Sequence, residues 1–138
     1  FTNIDNMATQ KRMKRYLLQR VDELIKKVRD GKADYPSIMV ACSYTNNDTV
    51  FAEKSAAPIN YVFHPLLQSA MAVVGAIGQP TRYSNNKLGA CAEQRAANKA
   101  VNRYHQHIKD LDFTPAIRPR TKQIKPYCDN CTNTFPQL

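Results

Sequence analysis

Apolar residues along the amino-terminal part of the chain follow two different periods, and each predicts a different kind of element. Between Met7 and Asp30 they recur at helical spacing, and Gly31 is suited to end an amphipathic helix there. Two short apolar runs follow, Ile38–Cys42 and Thr49–Glu53, separated by polar turn residues. This pattern predicts a long helix and then a β-hairpin whose first strand is buried.

The rest of the chain predicts two further helices, a third strand and a short terminal helix. Pro65 is suited to open a helix to about Ile77, after which residues 81–89 form a polar loop. The segment Cys91–Lys109 has neither Gly nor Pro and carries an apolar stripe at helical spacing, and Phe113–Ile117 predicts a strand. We therefore expect an α/β fold, a mixed β-sheet flanked by α-helices, in a single domain of residues 1–138.

The chain is strongly basic, with 20 Lys and Arg against 11 Asp and Glu and a net charge of +9. Such a surplus favours a polyanionic partner, because each neutralised phosphate releases condensed counterions. An acidic protein partner, or a surface that is basic without function, remains open at this point. We interpret the basic run Lys11–Arg15 as a solvated face. The longest apolar stretch, Ala70–Ile77, is far shorter than the roughly 20 residues of a membrane span, so no membrane partner is expected.

Three of the four cysteines form a pattern. Cys42 lies inside a predicted strand and is expected to be a buried, inert thiol. Cys128 and Cys131 have the C-x-x-C spacing by which two thiolates hold one metal ion, although a redox pair or a disulfide would have the same spacing. Cys91 begins a predicted helix, where the partial positive charge of the helix N-terminus favours a thiolate.

Glu93, two residues after Cys91, falls on the apolar face of the same predicted helix. A carboxylate is costly to bury there unless something uses it. Three cysteine ligands would leave the fourth tetrahedral position of a zinc ion to water, and Glu93 would shuttle that water's proton. Zinc deaminases have this pattern: a histidine or cysteine two residues before a glutamate, and a C-x-x-C pair later in the chain.

Gly89–Glu93 and Cys128-x-x-Cys131 together resemble the cytidine-deaminase superfamily, over a region from about Thr81 to Thr134. The C-A-E form resembles the YwqJ-type deaminase domains at the C-termini of bacterial polymorphic toxins. The resemblance implies a three-layer α/β/α fold and hydrolytic deamination of a nucleobase, first of all cytosine to uracil in nucleic acid. It implies one catalytic zinc ion on Cys91, Cys128 and Cys131, with Glu93 as the acid/base group. Single-stranded DNA or RNA is the expected substrate, and DNA is favoured.

The resemblance also implies a biological setting. The domain would be secreted or delivered by the producing bacterium, act as a monomer in the target-cell cytoplasm, and be covered by a cognate immunity protein. The chain begins at Phe1 rather than Met, so we expect it to be part of a longer polypeptide. It departs from the family where Tyr127 separates Pro126 from Cys128. It also ends seven residues after Cys131, so the later strands of many deaminases are expected to be absent or supplied from elsewhere.

Further residues are expected to bind the substrate. The asparagine among them would hydrogen-bond a sugar, as one near that place does in relatives, the tyrosines would stack on a base, and the basic residues would contact phosphates. The candidates are Asn60, Tyr83, Ala92, Arg118, Arg120, Lys122 and Tyr127.

Alternatives to a nucleic-acid cytosine deaminase remain open. A non-catalytic zinc module that binds nucleic acid or a protein would take His105 or His107 as a ligand beside Cys128 and Cys131. That site would leave Glu93 unexplained, and we expect both histidines to be exposed helix residues. A deaminase of adenine or of free nucleotides would share the catalytic residues. A disulfide scaffold fits poorly, because four cysteines are few for 138 residues. His64 is expected to stand at the entry of a helix.

Overall fold

In a computed structural model of the chain, residues 2–138 are described, with side chains from residue 10 onward. The described helices are α1 (Thr2–Arg29), α2 (Pro65–Ala72), α3 (Ala92–Tyr104) and α4 (Asp129–Thr134). The strands are β1 (Met39–Tyr44), β2 (Phe51–Lys54), β3 (Leu111–Phe113), β4 (Ala116–Arg118) and β5 (Gln123–Lys125). No helix of the described part combines the length and the apolar character needed to cross a bilayer.

The five strands form one sheet in the order β2-β1-β4-β5, and β3 also pairs with β1. Each registered strand pair is antiparallel, so the parallel pairing expected of a mixed sheet is not observed among the described residues. The expected single strand Phe113–Ile117 is two strands, β3 and β4, which pair with different parts of β1. Between them Pro115 has no N–H to donate, which interrupts the ladder.

Helices cover both faces of β1, which confirms the predicted α/β class and its three layers. All six residues of β1 are buried, and neighbouring residues point to opposite faces of the sheet. Val40, Cys42 and Tyr44 belong to a core shared with α2, α3 and α4. Met39 and Ala41 belong to a second core, in which α1 contributes Met13, Leu17, Val21 and Leu24.

Two predicted helices end earlier than expected. α2 ends at Ala72 rather than Ile77, and the N–H groups of Val74 and Gly75 both donate to the carbonyl oxygen of Met71 in the turn that follows. α3 ends at Tyr104, because His105 takes a left-handed conformation with φ of 56°. His105 and His107 are therefore not helix residues, which corrects the expectation for both. His64 caps α2 as predicted, since its Nδ1 accepts a hydrogen bond from the Leu66 N–H at 3.1 Å.

The basic segment after β4 forms a hairpin with β5 that the sequence did not predict. Arg118 pairs with Gln123 across the turn, and Lys122 adopts a left-handed φ of 60°. The turn contains neither Gly nor Asn, the residues that usually mark such a conformation. The hairpin leads the chain through Pro126 to α4 and so helps to place Cys128 and Cys131.

Candidate metal centre and its cavity

The structure brings Cys91, Cys128 and Cys131 together, although 37 residues separate the first two. Cys91 is the N-cap of α3, Cys128 is the N-cap of α4, and Cys131 lies in the first turn of α4. Their three Sγ atoms lie within 4.8 Å of one another, and those of Cys91 and Cys128 are 2.7 Å apart. The three cysteines can therefore bind a metal ion together, as the spacing predicted.

The fourth cysteine is not part of this cluster. Cys42 is fully buried on β1, in the core between the sheet and α3, and burial raises the pKa of its thiol. It is the inert thiol that the sequence predicted.

Gln94 connects the two cysteine-bearing helices. Its side chain is fully buried; Oε1 accepts from the Gly89 N–H at 2.8 Å, and Nε2 donates to Oγ1 of Thr134 at 3.0 Å. The Thr134 hydroxyl in turn donates to the carbonyl oxygen of Asn130 at 2.7 Å. The start of α3 and the whole of α4 are thus held to one another by paired polar groups.

Asn130, inside the C-x-x-C segment, ties α4 to the polar loop of residues 81–89. Its Oδ1 accepts from the Thr81 hydroxyl at 2.5 Å, and its Nδ2 donates to the carbonyl oxygen of Asn86 at 2.9 Å. Gly89 closes that loop with φ of 95°, and a Cβ there would lie 3.0 Å from the Phe63 ring. Only glycine therefore allows the loop to reach Cys91 along this path.

Sequence reasoning missed Gln94 and Asn130 as positioning residues. Their side-chain partners, Thr134 and Thr81, lie 40 and 49 residues away along the chain. Only one feature could have drawn attention to Gln94, namely that a polar residue follows Glu93 at the start of an alanine-rich helix.

The pKa values of the three thiols are shifted in different directions. Hydrogen bonds from the Cys131 and Cys91 thiols, and then from backbone N–H groups, lower the pKa of Cys128 to about 3. The hydrogen bond to Cys128 raises the pKa of Cys91, and burial raises that of Cys131. One thiolate is therefore stabilised by the protons of its two neighbours.

This donor set fits zinc. Thiolate is the soft ligand that Zn²⁺ prefers, whereas Mg²⁺ and Ca²⁺ require oxygen ligands. A metal ion bound by the three sulfur atoms would replace the thiol protons of Cys91 and Cys131 as the positive charge that stabilises the Cys128 thiolate. Cys91 and Cys131 are at least nine-tenths buried, so competition from bulk water is small.

Glu93 lies beside these cysteines in the first turn of α3 and is only 3% exposed. Burial raises the pKa of its carboxyl group, and a hydrogen bond with the Cys131 side chain partly opposes this effect. Among residues 10–138, no Lys, Arg or His side chain forms an ion pair with it. Glu93 is thus a buried carboxyl group without a cationic partner, on the apolar helix face where the sequence placed it.

An open cavity of about 450 Å³ leads to Glu93 and to two of the cysteines, Cys91 and Cys128. This volume lies within the range of small-molecule sites in proteins. Its lining residues come from the segments before β1 and after β2, from the loop before α3 and from the ends of β4 and β5. They include Tyr35, Pro36, Ser37, Ile38, Ser55, Ala56, Ala57, Pro58, Asn86, Lys87, Ala90, Ala92, Ala116 and Pro126.

Three of the candidate substrate-binding residues lie at this cavity or next to it. Ala92 lines it directly, between Cys91 and Glu93. Arg118 and Arg120 line a smaller neighbouring cavity.

The structure places the other four candidates away from the cavity lining. Asn60 lies in an exposed turn with φ of 57°, and the Tyr83 hydroxyl accepts a hydrogen bond from Arg82 at 2.8 Å. Lys122 forms an ion pair with Asp22 of α1 at 2.8 Å. A role for these residues in substrate binding stays a prediction.

Tyr127, the fourth of these, anchors the chain instead. Its hydroxyl donates to the Thr114 carbonyl oxygen at 2.7 Å, and burial raises its pKa to about 12. This hydrogen bond fixes the residue just before Cys128 to the segment between β3 and β4. The extra residue between Pro126 and Cys128 therefore does not prevent Cys128 from reaching the cluster.

The histidines lie elsewhere. His64 and His105 contact one another, with Nε2 and Nδ1 3.3 Å apart, and His107 caps the short 3₁₀ turn before β3. Among the described side chains, the metal-binding group contains only the three cysteines. A four-ligand zinc site completed by His105 or His107 is thus not present in this arrangement.

Comparison of the chain with protein-family models, with curated proteins and with solved structures finds no match. The site itself therefore carries the functional interpretation: a cluster of three cysteines able to bind a metal ion, beside a buried glutamate in an open cavity.

Proposed function

We propose that this chain is a zinc-dependent hydrolytic deaminase that converts cytosine to uracil in nucleic acid, with single-stranded DNA as the favoured substrate. Cys91, Cys128 and Cys131 would hold the zinc ion, and Glu93 would transfer protons. One observation carries the proposal: Glu93 is buried, has no cationic partner among residues 10–138, and lines the same cavity as Cys91 and Cys128.

A site that only stabilises the fold has no use for such a carboxyl group. Burying it costs free energy, and no ion pair within residues 10–138 offsets that cost. Burial also raises the pKa of this carboxyl group above its ordinary value, so it accepts a proton more readily than an exposed glutamate does. The same feature that makes Glu93 costly for folding makes it suited to acid/base chemistry.

The reaction replaces the C4 amino group of cytosine by oxygen from water and releases ammonia. When bound, a zinc ion would supply a water molecule that is activated as a nucleophile near neutral pH. Glu93 would accept the proton of the attacking water, deliver it to ring N3, and carry a proton to the departing amine. The three cysteines would keep the base-binding cavity and the carboxyl group in fixed relation to one another.

Charge supports a nucleic-acid substrate over a free nucleoside, since the chain carries a net charge of +9. A single strand is favoured over a duplex, because a paired base must first be flipped out at a cost of a few kcal/mol. In keeping with the resemblance to toxin domains, the proposal includes delivery into a competing cell and inhibition by an immunity protein. Adenine and free nucleotides remain the alternative substrates.

The proposal is tested by sequencing single- and double-stranded DNA and RNA after incubation with the zinc-loaded protein, with cytidine, a cytosine nucleotide and an adenine nucleotide assayed alongside. The wild type should convert cytosine, fastest in single-stranded DNA. Glu93→Gln should lower kcat by about 10²- to 10⁴-fold, the usual contribution of a general acid/base.

The matched control is Glu53→Gln, which makes the same change at a carboxylate outside the cavity that pairs with Lys99 at 3.2 Å. It should leave the rate unchanged. Full activity of Glu93→Gln would contradict the proposed role. Zinc binding without conversion of any substrate would favour the non-catalytic zinc module.

A further inference from the structure

A second, smaller cavity of about 200 Å³ adjoins the main one, and we name it the arginine groove. Its lining residues are Tyr35, Pro36, Ser37, Arg118 and Arg120. The first three also line the main cavity, so the segment before β1 forms a wall that the two cavities share. A ligand that fills the main cavity has a direct continuation into the groove.

The two arginines of the groove are free to bind an anion. Both are exposed. Within residues 10–138 neither forms an ion pair with a carboxylate, not even with Asp34, which precedes Tyr35 in the chain. The guanidinium group of Arg120 lies 5.6 Å from the centre of the Tyr35 ring. Lys122 differs, because its ammonium group is paired with Asp22. The hairpin thus directs two of its cations to the groove and a third to α1.

The main cavity has a cation of its own. Lys87, in the loop before α3, is exposed and lines that cavity. Glu93 is the only carboxylate among the residues that line the two cavities. Cations therefore line both the arginine groove and the cavity that would receive the base.

We infer that the arginine groove binds the nucleotide next to the target base in a single-stranded polynucleotide, an inference that rests on the proposed function. Arg118 and Arg120 bind the phosphate, because planar guanidinium groups match phosphate oxygens and remain charged. Tyr35 stacks on the neighbouring base, an interaction that tolerates any sequence. Lys87, which lines the main cavity outside the groove, contacts another phosphate of the strand.

The test measures binding of a short labelled single-stranded oligonucleotide with one cytosine, over a series of salt concentrations. Arg118→Gln/Arg120→Gln should raise Kd by about tenfold or more, as expected for the loss of two charged hydrogen-bonding groups. It should also reduce the slope of log K against log salt by about 0.7, the contribution of one neutralised phosphate of a single strand.

Arg103→Gln is the matched control, because it removes the positive charge of an exposed arginine in the last turn of α3 that lines neither cavity. It should change neither Kd nor the salt slope. An equal effect of Arg103→Gln would mean that only overall charge matters, and an unchanged slope in the double variant would mean that its arginines touch no phosphate. Either result overturns the inference.

Turnover separates this inference from the proposed function. With an active enzyme, the double variant should raise KM for the oligonucleotide about tenfold while kcat for free cytidine stays unchanged. An equal loss of kcat/KM for the oligonucleotide and for free cytidine would overturn the inference that the groove binds a nucleotide. If the wild type converts neither substrate, the deaminase proposal fails. The salt slopes of oligonucleotide binding then decide by themselves whether the arginine groove binds a nucleotide.

Tyr35 gives an independent check of the neighbouring-base contact. Tyr35→Phe keeps an aromatic ring and should retain the affinity for the oligonucleotide, whereas Tyr35→Ala should lose about tenfold, the lower part of the range for one base–aromatic stack. Equal affinity of all three proteins would remove stacking from the inference.

Discussion

The two sides of the sheet differ in what they bury. Between the sheet and α1 the core is mostly apolar, and the one buried polar residue that β1 directs to this face is Ser43, on the same side as Met39 and Ala41. On the other side, five of the seven buried polar residues among the described side chains belong to α3 or α4. These are Glu93, Gln94, Asn98, Asn130 and Thr134. A core that only had to cover the sheet would resemble the α1 side, because burying polar groups costs free energy.

The difference identifies what the polar side does. The amides of Gln94 and Asn130 are paired with the segments that carry the cysteines. Asn98 holds the entry of α2, accepting from the His64 N–H at 2.8 Å and donating to the Val62 carbonyl oxygen at 3.0 Å. Glu93 instead hydrogen-bonds the side chain of Cys131, a residue of the cluster itself, and within residues 10–138 it forms no ion pair, which is why we assign it a chemical role.

The largest effect should follow from removing a cysteine of the cluster. Cys131→Ser replaces a thiolate by a weak ligand and should lower zinc affinity more than about 100-fold, since even an outer partner of a ligand is worth 10- to 100-fold. Zinc should raise the Tm of the wild type but not of this variant. Competition with a chelator and thermal unfolding measure both quantities.

Cys42→Ala is the control for that prediction, because it removes a buried thiol on the same side of the sheet but outside the cluster. It should destabilise the fold and retain zinc. If it loses zinc as Cys131→Ser does, the set of three ligands is wrong.

Leu17→Ala tests the apolar side. Leu17 is 2% exposed in the core under α1, so truncation should lower the free energy of unfolding by about 2–5 kcal/mol. Zinc affinity of the folded protein should not change, because Leu17 packs in the core under α1, whereas the three cysteines belong to the core on the other side of the sheet. Denaturant unfolding of the metal-free, reduced protein gives the first quantity and chelator competition the second. A marked fall in zinc affinity would contradict the division between the two sides.

Gln94→Leu should lower the free energy of unfolding less than Leu17→Ala does, and it should lower zinc affinity more. It leaves the Gly89 N–H and the Thr134 hydroxyl without their partner, at a cost of about 1–3 kcal/mol. Zinc affinity should fall about 10- to 100-fold, as for other residues that position ligands. Loss of stability with unchanged zinc affinity would show that the pairing serves the fold alone.

Tyr44→Phe should have the smallest effect, and it tests a polar group on the α3 side outside the cysteine segments. The Tyr44 hydroxyl donates to the Gln106 carbonyl oxygen at 2.7 Å, and burial raises its pKa from 10.0 to about 12. Its stabilisation is thus complete below pH 10 and is lost as the pH rises from 10 to 12.

Tyr44→Phe should lower the free energy of unfolding by about 1 kcal/mol at neutral pH. Above pH 10 this free energy should fall less steeply in the variant than in the wild type, and zinc affinity should not change. Denaturant unfolding at several pH values checks both. A wild-type stability that stays constant between pH 10 and 12 would contradict the assigned cause.

Elements with a strong local pattern could be predicted from the sequence. The stripe of Leu17, Val21 and Leu24 gave α1, and the buried run Ile38–Cys42 gave β1. Features set by backbone conformations that lack a residue signal could not be. His105 and Lys122 both adopt left-handed conformations without being glycine, so the end of α3 and the β4–β5 turn were missed.

The same distinction holds for the site. The C-x-x-C spacing and the position of Glu93 are local, and they predicted the cluster and the buried carboxyl group. The wall formed by Tyr35–Ser37 and the polar ties of Gln94 and Asn130 depend on segments that meet only in the folded chain. The ion pair of Lys122 with Asp22 of α1 likewise joins residues that are far apart along the chain.

The most direct test of the central claim measures zinc content and ammonia release in the same preparations of wild type and Glu93→Gln, with single-stranded DNA as substrate. The account predicts equal zinc in both proteins, one ion for each three-cysteine cluster, and ammonia from the wild type alone. A folded, reduced wild type that binds no zinc, or a Glu93→Gln protein that releases ammonia at the wild-type rate, would contradict it.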